Sequence, residues 1–567
     1  MQYAIAHIKD QILDLVIQVV GVDVDRTQLE LDVPPSSELG DLALPCFYLA
    51  KLLRRSPNQI AQLLKDGIHP AGIISAINVA GPYLNFTLNS AIVAADVIGE
   101  VVAHKGKYGS DDKKSDKVLI EYSAPNTHKE FHVGHLRNNL IGSTLVRLYE
   151  AQGYAPIPLN YIGDIGAHVA KCLWALDAFH KDEPLPKNKG KYLGSVYTDA
   201  VRRLEANPAL KSEVDEVLRK LEAGDKYWTK RWKETRAWSL EEFAELYKTL
   251  GITFKHTFYE SEVEKAGKKI VAELLKKGVA KHSEGAVVID LEQYGLKTFL
   301  LLKSDGSSLY STKDLALGGL KLKKYPASQS LYVIDTRQSF YMQQLFKTLE
   351  IIGITTPLIH VPYEIVTLKD GAMSSRSGNI ISVEDFLTTV NERARTETAK
   401  RHQDWTPKQL DDTSKAIAMA AIKFNMLRVS NNNIVVFDID EALSFEGMSG
   451  PYLLYTISRI NSLVKKAGRQ RTTPDYSRLD SLVEKELLLA LAEFPAVCSR
   501  SCENRDPSEV ARHLFSVAQL YSTFYQKQPI LTAEPPVVAA RLALSRATQQ
   551  VLTNGLKLLG ITAVERM

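Results

Sequence analysis

The pattern of apolar and polar residues at the start of the chain predicts a small mixed unit of helices and strands. Apolar side chains recur at helical spacing from Ile5 to Val19, which predicts an amphipathic helix. We expect a second, apolar helix over about Leu42–Arg54 and a third one after Ser56-Pro57, because such a dipeptide is typical of helix starts. Residues 74–88 predict two strands joined by a turn at Gly81-Pro82.

The pattern changes at residue 118 to an alternation of strands and helices. The run VLIEYSA is typical of a buried strand, and a polar loop, a helix that ends at Gly153 and a strand over 157–162 follow it. Further strands are expected at 296–302, 331–335 and 359–366. Strand, loop, helix and strand in this order indicate a nucleotide-binding α/β unit with a doubly wound sheet.

A chain of 567 residues is long enough for several domains. From the pattern we predict four segments: an N-terminal α+β domain at 1–103, a linker at 104–117, a Rossmann-like α/β domain at 118–387 with an insertion at about 183–296, and an α-helical domain at 388–567.

The composition indicates a globular protein of a reducing compartment. Apolar residues make up 45% and charged residues 24%, which is ordinary for globular chains. No run approaches the roughly 18 apolar residues of a membrane span. Asp10 and Asp14 lie within the first predicted helix, which lacks a basic n-region and a continuous apolar core, so we expect no signal peptide there. Four cysteines without a CxxC pair predict neither a disulfide framework nor a zinc site. We expect a cytoplasmic protein without a membrane partner.

The net charge of +4 is unevenly distributed. From Lys400 onward the chain carries 21 basic and 17 acidic residues, and no acidic residue lies between Glu446 and Asp475. Tyrosines and basic residues share one helical face in that acid-free run, at Tyr452, Tyr455, Arg459 and Lys466. Such a face suits unstacked bases and phosphates, although tyrosines at helical spacing are more often core residues.

The first motif with possible chemistry is His132-Val133-Gly134-His135, between a predicted strand and a predicted helix. Gly134 lets the backbone approach a ligand, and the start of a helix offers free N–H groups to phosphate. Two histidines could donate to phosphate oxygens. The pair could also be half of a zinc site, for which no cysteine pair is available, or an accidental loop.

The second motif is the run Met373-Ser374-Ser375-Arg376-Ser377-Gly378-Asn379, in a polar loop after a strand. Small hydroxyls, an arginine and a glycine suit a loop that closes over phosphate. Runs of this composition are most often plain turns, so this motif alone does not decide a function.

The two motifs at this separation resemble the HIGH and KMSKS signatures of class I aminoacyl-tRNA synthetases. Several other segments resemble the arginyl-tRNA synthetase family in the order in which they occur: ELGDLALPCFYLAK, EYSAPNTHKEFHVGHLRNNLIG, NYIGDIG, SDGSSLYSTKDLALG, YVIDTRQ, FEGMSGPYLLY, STFYQKQPIL and GLKLLGITAVERM. The resemblance extends from about Ser37 to Met567. It implies a Rossmann-type catalytic domain with helical insertions, preceded by an N-terminal α+β domain and followed by a helical anticodon-binding bundle.

This resemblance implies an arginine–tRNA ligase. ATP and L-arginine would form arginyl-adenylate and pyrophosphate, and arginine would pass to the 3′ end of tRNA(Arg). Mg²⁺ would accompany ATP as co-substrate, without zinc or an organic cofactor. We expect a monomer whose arginine activation needs bound tRNA.

The resemblance also implies the residues that act on ATP. It places seven residues at ATP: His132, Val133, Gly134, His135, Met373, Ser374 and Ser375. Catalysis would rest on the same histidines and Gly134, together with Lys129 and Arg376. Ala372 and Ser375 stand where KMSKS has its lysines. Lys129, just before the first motif, is expected to replace the second of them and to stabilise the charge of the transition state.

The arginine pocket must bind a guanidinium group, which favours carboxylates in forked geometry. The resemblance assigns this role to Glu121 and Asp314 and packs Tyr310 on the substrate side chain. Two further residues, Asn126 and Gln338, would contact its amino or carboxylate end. The chain departs from the family at three positions, which carry Ala124, Lys313 and Tyr341 where Ser, Arg and His are usual.

For tRNA, the resemblance implies that the helical domain binds the anticodon region. The expected contacts are Tyr452, Tyr455, Arg459, Lys466, Tyr525 and the C-terminal Met567. Three alternatives stay open: a HIGH-type nucleotidyltransferase acting on a small metabolite, a non-catalytic tRNA-binding paralogue, and a synthetase for another amino acid.

Overall fold

The computed structural model describes residues 3–36, 38–369, 382–469 and 471–567. Its contacts divide the chain into two compact units. The first unit holds the chain up to Asp112, Leu443–Asn504 and Glu509–Met567, and the second holds Lys113–Ala442 and Arg505–Ser508. The domain boundaries expected from the sequence stay predictions.

The N-terminal part of the first unit combines a three-stranded antiparallel sheet with four helices. In chain order its elements are α1 (Ala4–Val20), β1 (Leu42–Pro45), α2 (Phe47–Leu53), α3 (Pro57–Gly67), β2 (Ile74–Ala80), β3 (Tyr83–Leu88) and α4 (Ser90–His104). The predicted first helix and the strand–turn–strand pair are confirmed. The third helix is also confirmed, because Ser56 and Gln59 form a reciprocal capping box at its start.

The helix expected over Leu42–Arg54 is wrong in its first half. Leu42 to Pro45 form β1, which pairs antiparallel with β3, and the helix begins only at Phe47. A short apolar run cannot distinguish a strand from a helix. Pairing with the distant strand β3 decides between them, and Pro45 is at the end of β1, where a strand accepts proline.

The second unit alternates strands and helices. Its first half contains β4 (Lys117–Glu121), α5 (Val133–Ala151), β5 (Ala155–Ile162), α6 (Ala167–Ala178), α7 (Lys189–Ala206), α8 (Lys211–Glu222), α9 (Lys226–Leu250), β6 (His256–Tyr259) and α10 (Glu260–Lys276). Its second half contains β7 (Ala280–Ser283), β8 (Ala286–Asp290), β9 (Thr298–Leu302), α11 (Tyr310–Lys324), β10 (Gln329–Asp335), α12 (Ser339–Ile351), β11 (Leu358–Tyr363), β12 (Val366–Leu368), α13 (Val383–Arg401), α14 (Pro407–Leu427), β13 (Val435–Phe437) and α15 (Ile439–Ala442).

Five strands of this unit form a parallel sheet in the order β11-β10-β4-β5-β6. The strand of this sheet that comes first in the sequence, β4, is its central strand. The strand order reverses between β4 and β10. In sheets of this kind ligands bind in the crevice at the carboxyl ends of the strands, where the order reverses. The Rossmann-type fold is confirmed, and the topology places the site beyond β4 and β10.

Two strands differ from the sequence expectation. Strand β6 belongs to the parallel sheet although it lies within the segment expected as an insertion, and its four residues are too few for a periodic signal. The strand expected at 296–302 forms as β9, yet it pairs antiparallel with β8 in a separate three-stranded sheet. Apolar periodicity predicts that a strand forms but not which partner it takes.

The first unit is completed by the C-terminal helices α16 (Gly450–Ala467), α17 (Leu482–Asn504), α18 (Ser508–Lys527) and α19 (Pro535–Leu558), which confirm the expected helical region. Within this unit the segment after α4 packs against them. The hydroxyl of Tyr108 donates to the carbonyl of Leu491 over 3.0 Å. The side chain of Asn554 donates to the carbonyl of Lys105 over 2.8 Å.

Within the described ranges, no helix is both long and apolar enough to cross a bilayer. The four cysteines are buried and are not joined by disulfide bonds.

Candidate active site

The crevice of the second unit is lined by the ends of two adjacent strands. Glu121 is the last residue of β4 and lies beside Tyr332 of β10 in the parallel register. The loop from β4 leads to His132, the residue that precedes α5. Beyond β10, Gln338 ends a short 3₁₀ turn before α12. The topology therefore brings several expected site residues to one edge of the sheet.

His132 and His135 stack against each other at the start of α5, with ring centroids 3.8 Å apart. The backbone N–H of His132 donates to Nδ1 of His135 over 3.2 Å, so a neutral His135 carries its proton on Nε2. Burial lowers the pKa of His132 to about 4, and the charges of Lys129 and Arg337 add to this effect. Burial also lowers the pKa of His135 well below its ordinary value. Both rings are therefore neutral hydrogen-bond donors near pH 7.

Two glycines leave room for side chains of the loop that precedes α5. A Cβ atom at Gly134 would lie 3.0 Å from the ring of His132. A Cβ atom at Gly163, in the GDIG turn, would lie 2.2 Å from Oδ1 of Asn126. Asn126 forms a parallel bridge with Gly163, and the N–H of Thr127 donates to the Gly163 carbonyl over 2.9 Å. The absence of a side chain at Gly163 thus allows Asn126 to lie in the crevice.

Lys129 supplies a cation beside the neutral histidines. Its Nζ lies 5.2 Å from the centroid of the Tyr197 ring on α7. Partial burial lowers the pKa of Lys129, and Lys171 lowers it further, whereas Glu260 raises it. A partly desolvated lysine interacts more strongly with an anion than an exposed one does.

The expected arginine pocket contains Asp314 in the first turns of α11. Burial, together with the negative charges of Glu121 and Glu260, raises the pKa of its carboxyl group to about 7. A hydrogen bond from Tyr341 and the charge of Lys313 act in the opposite direction. Three carboxyl groups thus share one region, which is the chemistry that a guanidinium ligand requires.

Glu260, the first residue of α10, was missed by the sequence analysis. Its side chain is 4% exposed, and its Oε2 accepts a hydrogen bond from Nζ of Lys313 over 2.5 Å. The available signal was its place directly after the short strand β6, at the same edge of the sheet as Glu121. That signal could not be used because β6 itself was not predicted.

Glu121 is already paired with a cation of the chain. Nζ of Lys321 donates to Oε2 of Glu121 over 2.7 Å, and the Lys321 side chain is fully buried. This Nζ also lies 3.4 Å from the centroid of the Tyr332 ring. Burial alone would lower the pKa of Lys321, but Glu121 and Tyr332 raise it above its ordinary value. Glu121 therefore balances a charge inside the fold as well as facing the crevice.

The remaining expected pocket residues differ in exposure. Tyr310 at the start of α11 is 61% exposed, as its role of packing on a substrate would require. Gln338 is exposed and Asn126 is partly exposed. The hydroxyl of Tyr161 on β5 is buried without a hydrogen-bond partner in the described part of the chain. The second motif, with Ala372, Met373, Ser374, Ser375 and Arg376, lies outside the described residues.

The first unit brings together several of the expected tRNA contacts. The guanidinium of Arg459 on α16 lies 4.7 Å from the Tyr455 ring centroid and 5.1 Å from that of Tyr525 on α18. The backbone N–H of Met567 donates to Ser458 over 3.0 Å, which places the C-terminus beside the same helix. Tyr452 is partly buried against Phe515. Lys466 is exposed near the end of α16.

The chain matches three family models in succession. Residues 97–439 match the catalytic domain of class I tRNA synthetases of the arginine type. Residues 453–567 match the DALR anticodon-binding domain, and residues 5–88 match the arginyl-tRNA synthetase N-terminal domain. Together with the sheet and the crevice, these matches define a class I aminoacyl-tRNA synthetase.

Relatives narrow this class to one family. The chain is 36% identical to the arginine–tRNA ligase of Bdellovibrio bacteriovorus, over 94% of its own length and 93% of that protein. It is 35% identical to the arginine–tRNA ligase of Clostridium botulinum, over 99% and 100% of the two chains. The chain belongs to the arginyl-tRNA synthetase family, and the predicted enzyme class, arginine–tRNA ligase, is confirmed.

A solved structure agrees with this assignment. The arginyl-tRNA synthetase of Thermus thermophilus superposes with a TM-score of 0.82 at 26% identity and covers 99% of this chain and 100% of its own. The arginyl-tRNA synthetase of Plasmodium falciparum has the same fold, with a TM-score of 0.80 at 20% identity. The described residues hold no cluster of three or more metal-ligating side chains.

Proposed function

We propose that this chain activates L-arginine in the crevice beyond β4 and β10 and transfers it to tRNA(Arg). The substrate carboxylate attacks the α-phosphorus of MgATP, the bond to the β-phosphate breaks, and pyrophosphate leaves. A ribose hydroxyl at the tRNA 3′ end then attacks the carbonyl of the adenylate, and AMP leaves. The observation that carries the proposal is the cluster of carboxyl groups at Glu121, Glu260 and Asp314, of which Glu260 also acts electrostatically on Lys129.

We assign ATP binding to the residues at the start of α5. To Lys129 we assign the positive charge that interacts with the phosphates. His132 and His135 donate to phosphate oxygens as neutral imidazoles, which is consistent with their lowered pKa. The backbone at Val133 and Gly134 lies against the adenosine. Because both rings are neutral, the cation that stabilises the leaving pyrophosphate is Lys129. To Met373, Ser374, Ser375 and Arg376 of the second motif we assign contacts with ATP and its pyrophosphate group.

For arginine, we assign the guanidinium to Glu121 and Asp314, with Glu260 as a third carboxyl group of the same pocket. Five N–H donors need several acceptors, and a bidentate pair fixes the orientation of the planar group. Glu121 keeps Lys321 neutralised, so that the pocket retains its excess of negative charge. Tyr310 packs on the substrate stem. Asn126 and Gln338 take the amino and carboxylate end.

For tRNA, we assign the anticodon region to the face of α16 and α18. The guanidinium of Arg459 between two tyrosine rings forms a flat, cationic surface on which an unstacked base can stack. The other contacts on this surface are Tyr452, Lys466 and Met567. Residues 1–103 contact the tRNA elbow, and within the expected helical region 388–567 the part that binds the anticodon is residues 453–567. The enzyme acts as a monomer in the cytoplasm, where its thiols stay reduced.

The test is a charging assay with a panel of amino acids and purified tRNAs. Labelled arginine should be transferred to tRNA(Arg), and ATP–pyrophosphate exchange should be weak until tRNA is added. Vigorous exchange with a small acid and no tRNA would support a nucleotidyltransferase instead. tRNA binding without charging would indicate a non-catalytic paralogue, and charging with another amino acid would refute the pocket assignment.

A further inference from the structure

The loop between β4 and α5 holds three non-glycine residues in left-handed backbone conformations. They are Ser123 with φ of 79°, Ala124 with φ of 45° and His128 with φ of 63°. Such conformations are costly for residues with a side chain, and they persist only where the surroundings impose them. The loop carries Asn126 and Lys129, so the groups that impose its shape also set the direction of these two side chains.

Helix α9 supplies these groups from one of its faces. The ring nitrogen Nε2 of His128 lies 2.7 Å from the hydroxyl of Thr235. The backbone N–H of His128 donates to the hydroxyl of Ser239 over 3.0 Å. Two turns further along, the hydroxyl of Tyr247 lies 2.8 Å from that of Ser123. We call Thr235, Ser239 and Tyr247 the α9 hydroxyl row.

The bonds to His128 are made in a dry environment. The side chain of His128 and that of Thr235 are 0% exposed, and that of Ser239 is 1% exposed. Burial lowers the pKa of His128 to about 3, so its ring is neutral and can donate at one nitrogen and accept at the other. Nδ1 lies 2.9 Å from the hydroxyl of Thr127. His128 thus joins α9 to the loop with both ring nitrogens.

We propose that Thr235 and Ser239 are positioning residues for the adenylate-forming step. They hold His128 in its left-handed conformation and so aim the adjacent Lys129 at the phosphates. Neither hydroxyl reaches a substrate in this arrangement, because both are consumed inside the fold. The inference rests on the proposed role of Lys129. It adds a second requirement for catalysis: helix α9, over 100 positions further along the chain, must keep this lysine in place.

The first experiment separates positioning from mere stabilisation. Thr235→Val removes the hydroxyl and keeps the shape, Thr235→Ser restores it, and Ser239→Ala removes the second anchor. The control is Thr249→Val on the same helix, whose exposed hydroxyl bonds only within α9. We expect Thr235→Val to lower the kcat of adenylate formation by about ten- to a hundredfold, because a misplaced catalytic group has an effect of this size. The KM for arginine and the KM for ATP should stay within about twofold of those of the unaltered enzyme.

A purely structural role would lower the melting temperature and the fraction of active enzyme, yet leave kcat per active site unchanged. Active-site titration therefore accompanies each measurement. If kcat per active site stays the same in both Thr235→Val and Ser239→Ala, or if Thr235→Ser fails to restore it, the inference is overturned.

The second experiment is a double-mutant cycle with Lys129→Met. Residues that act through one another give non-additive effects. Adding Thr235→Val to Lys129→Met should therefore lower kcat by less than about twofold more. If Thr235→Val lowers kcat as much in the Lys129→Met variant as it does in the unaltered enzyme, the positioning role is overturned, while the role of Lys129 is not affected. An unchanged kcat in Lys129→Met alone would instead refute the assignment of Lys129, and with it this inference.

Discussion

The hydroxyl of Tyr341 on α12 donates a hydrogen bond to Oδ2 of Asp314 over 2.5 Å. The phenol of Tyr341 makes this donation without adding a charge to the pocket. Its own pKa is raised well above the ordinary value by burial and by Asp314, so it stays protonated. This bond lowers the pKa of Asp314 against the burial and the neighbouring carboxylates that raise it.

Tyr341→Phe should weaken arginine binding selectively. Without the donor, the ionised form of Asp314 loses a charge-assisted hydrogen bond, which is typically worth about 1.5–3 kcal/mol. We expect the KM for arginine to rise about tenfold or more at pH 7, with the KM for ATP unchanged. Tyr192→Phe is the matched control, because Tyr192 donates to Glu183 at an exposed place away from the pocket. Equal changes in both KM values would contradict the prediction.

Arginine binding should weaken in mildly acidic solution. The pKa of Asp314 is raised to about 7, so below this pH the free pocket holds a protonated carboxyl group that must lose its proton to bind guanidinium. We expect the KM for arginine to rise up to about tenfold per pH unit below 7 and to level off above it. Kinetics between pH 6 and 8 test this. Asp314→Asn should bind arginine poorly at every pH, and a flat profile in the unaltered enzyme would disprove the account.

Removing one partner of the buried pair between Lys321 and Glu121 should be strongly destabilising. Both side chains lie inside the fold, so Lys321→Met leaves an uncompensated carboxylate at a cost of about 3–5 kcal/mol. The double variant Lys321→Met with Glu121→Gln should recover most of this loss in chemical denaturation. Lys281→Met breaks an exposed pair with Asp290 and should leave the free energy of unfolding nearly unchanged. A double variant no more stable than Lys321→Met would contradict the pairing.

Neutralising the basic face of α16 should weaken tRNA binding and leave the arginine site unchanged. In the triple variant Arg459→Gln, Lys465→Gln and Lys466→Gln, fewer counterions are released on binding. We expect a higher KM for tRNA. A plot of the logarithm of the tRNA binding constant against the logarithm of the salt concentration should become shallower, by a slope of about 0.7 for each phosphate that the protein no longer neutralises. Lys276→Gln, at the end of α10 in the other unit, serves as the control. A raised KM for arginine would argue against a local effect.

The sequence predicts what depends on local pattern and motif. The capping box of Ser56, the hairpin at Gly81-Pro82 and the strand that ends at Glu121 follow from neighbouring residues, and the family resemblance supplies the active-site chemistry. What it misses depends on distant pairing. The strand β6 is recognisable only once β5 lies beside it, and Glu260 enters the pocket only through that strand.

The hydrogen bonds of the pocket illustrate the same limit. Lys321 stands 200 residues from Glu121 in the chain and His128 more than 100 from Thr235. Nothing in the local periodicity marks a lysine in a helix as the partner of a strand-end glutamate. The burial that lowers the pKa of His132 to about 4 also arises only in the folded crevice.

The turn Arg505–Ser508 belongs to the second unit, although the chain on both sides of it lies in the first. Within the second unit, Asp506 accepts a hydrogen bond from Ser430 over 2.7 Å, and the carbonyl of Arg505 accepts one from Asn431 over 2.8 Å. Recombination with a single crossover between residues 443 and 504 would therefore pair a turn from one parent with a docking site from the other. Such a chimaera would keep these two hydrogen bonds only where both parents carry a matching donor and acceptor at the positions of Ser430, Asn431 and Asp506.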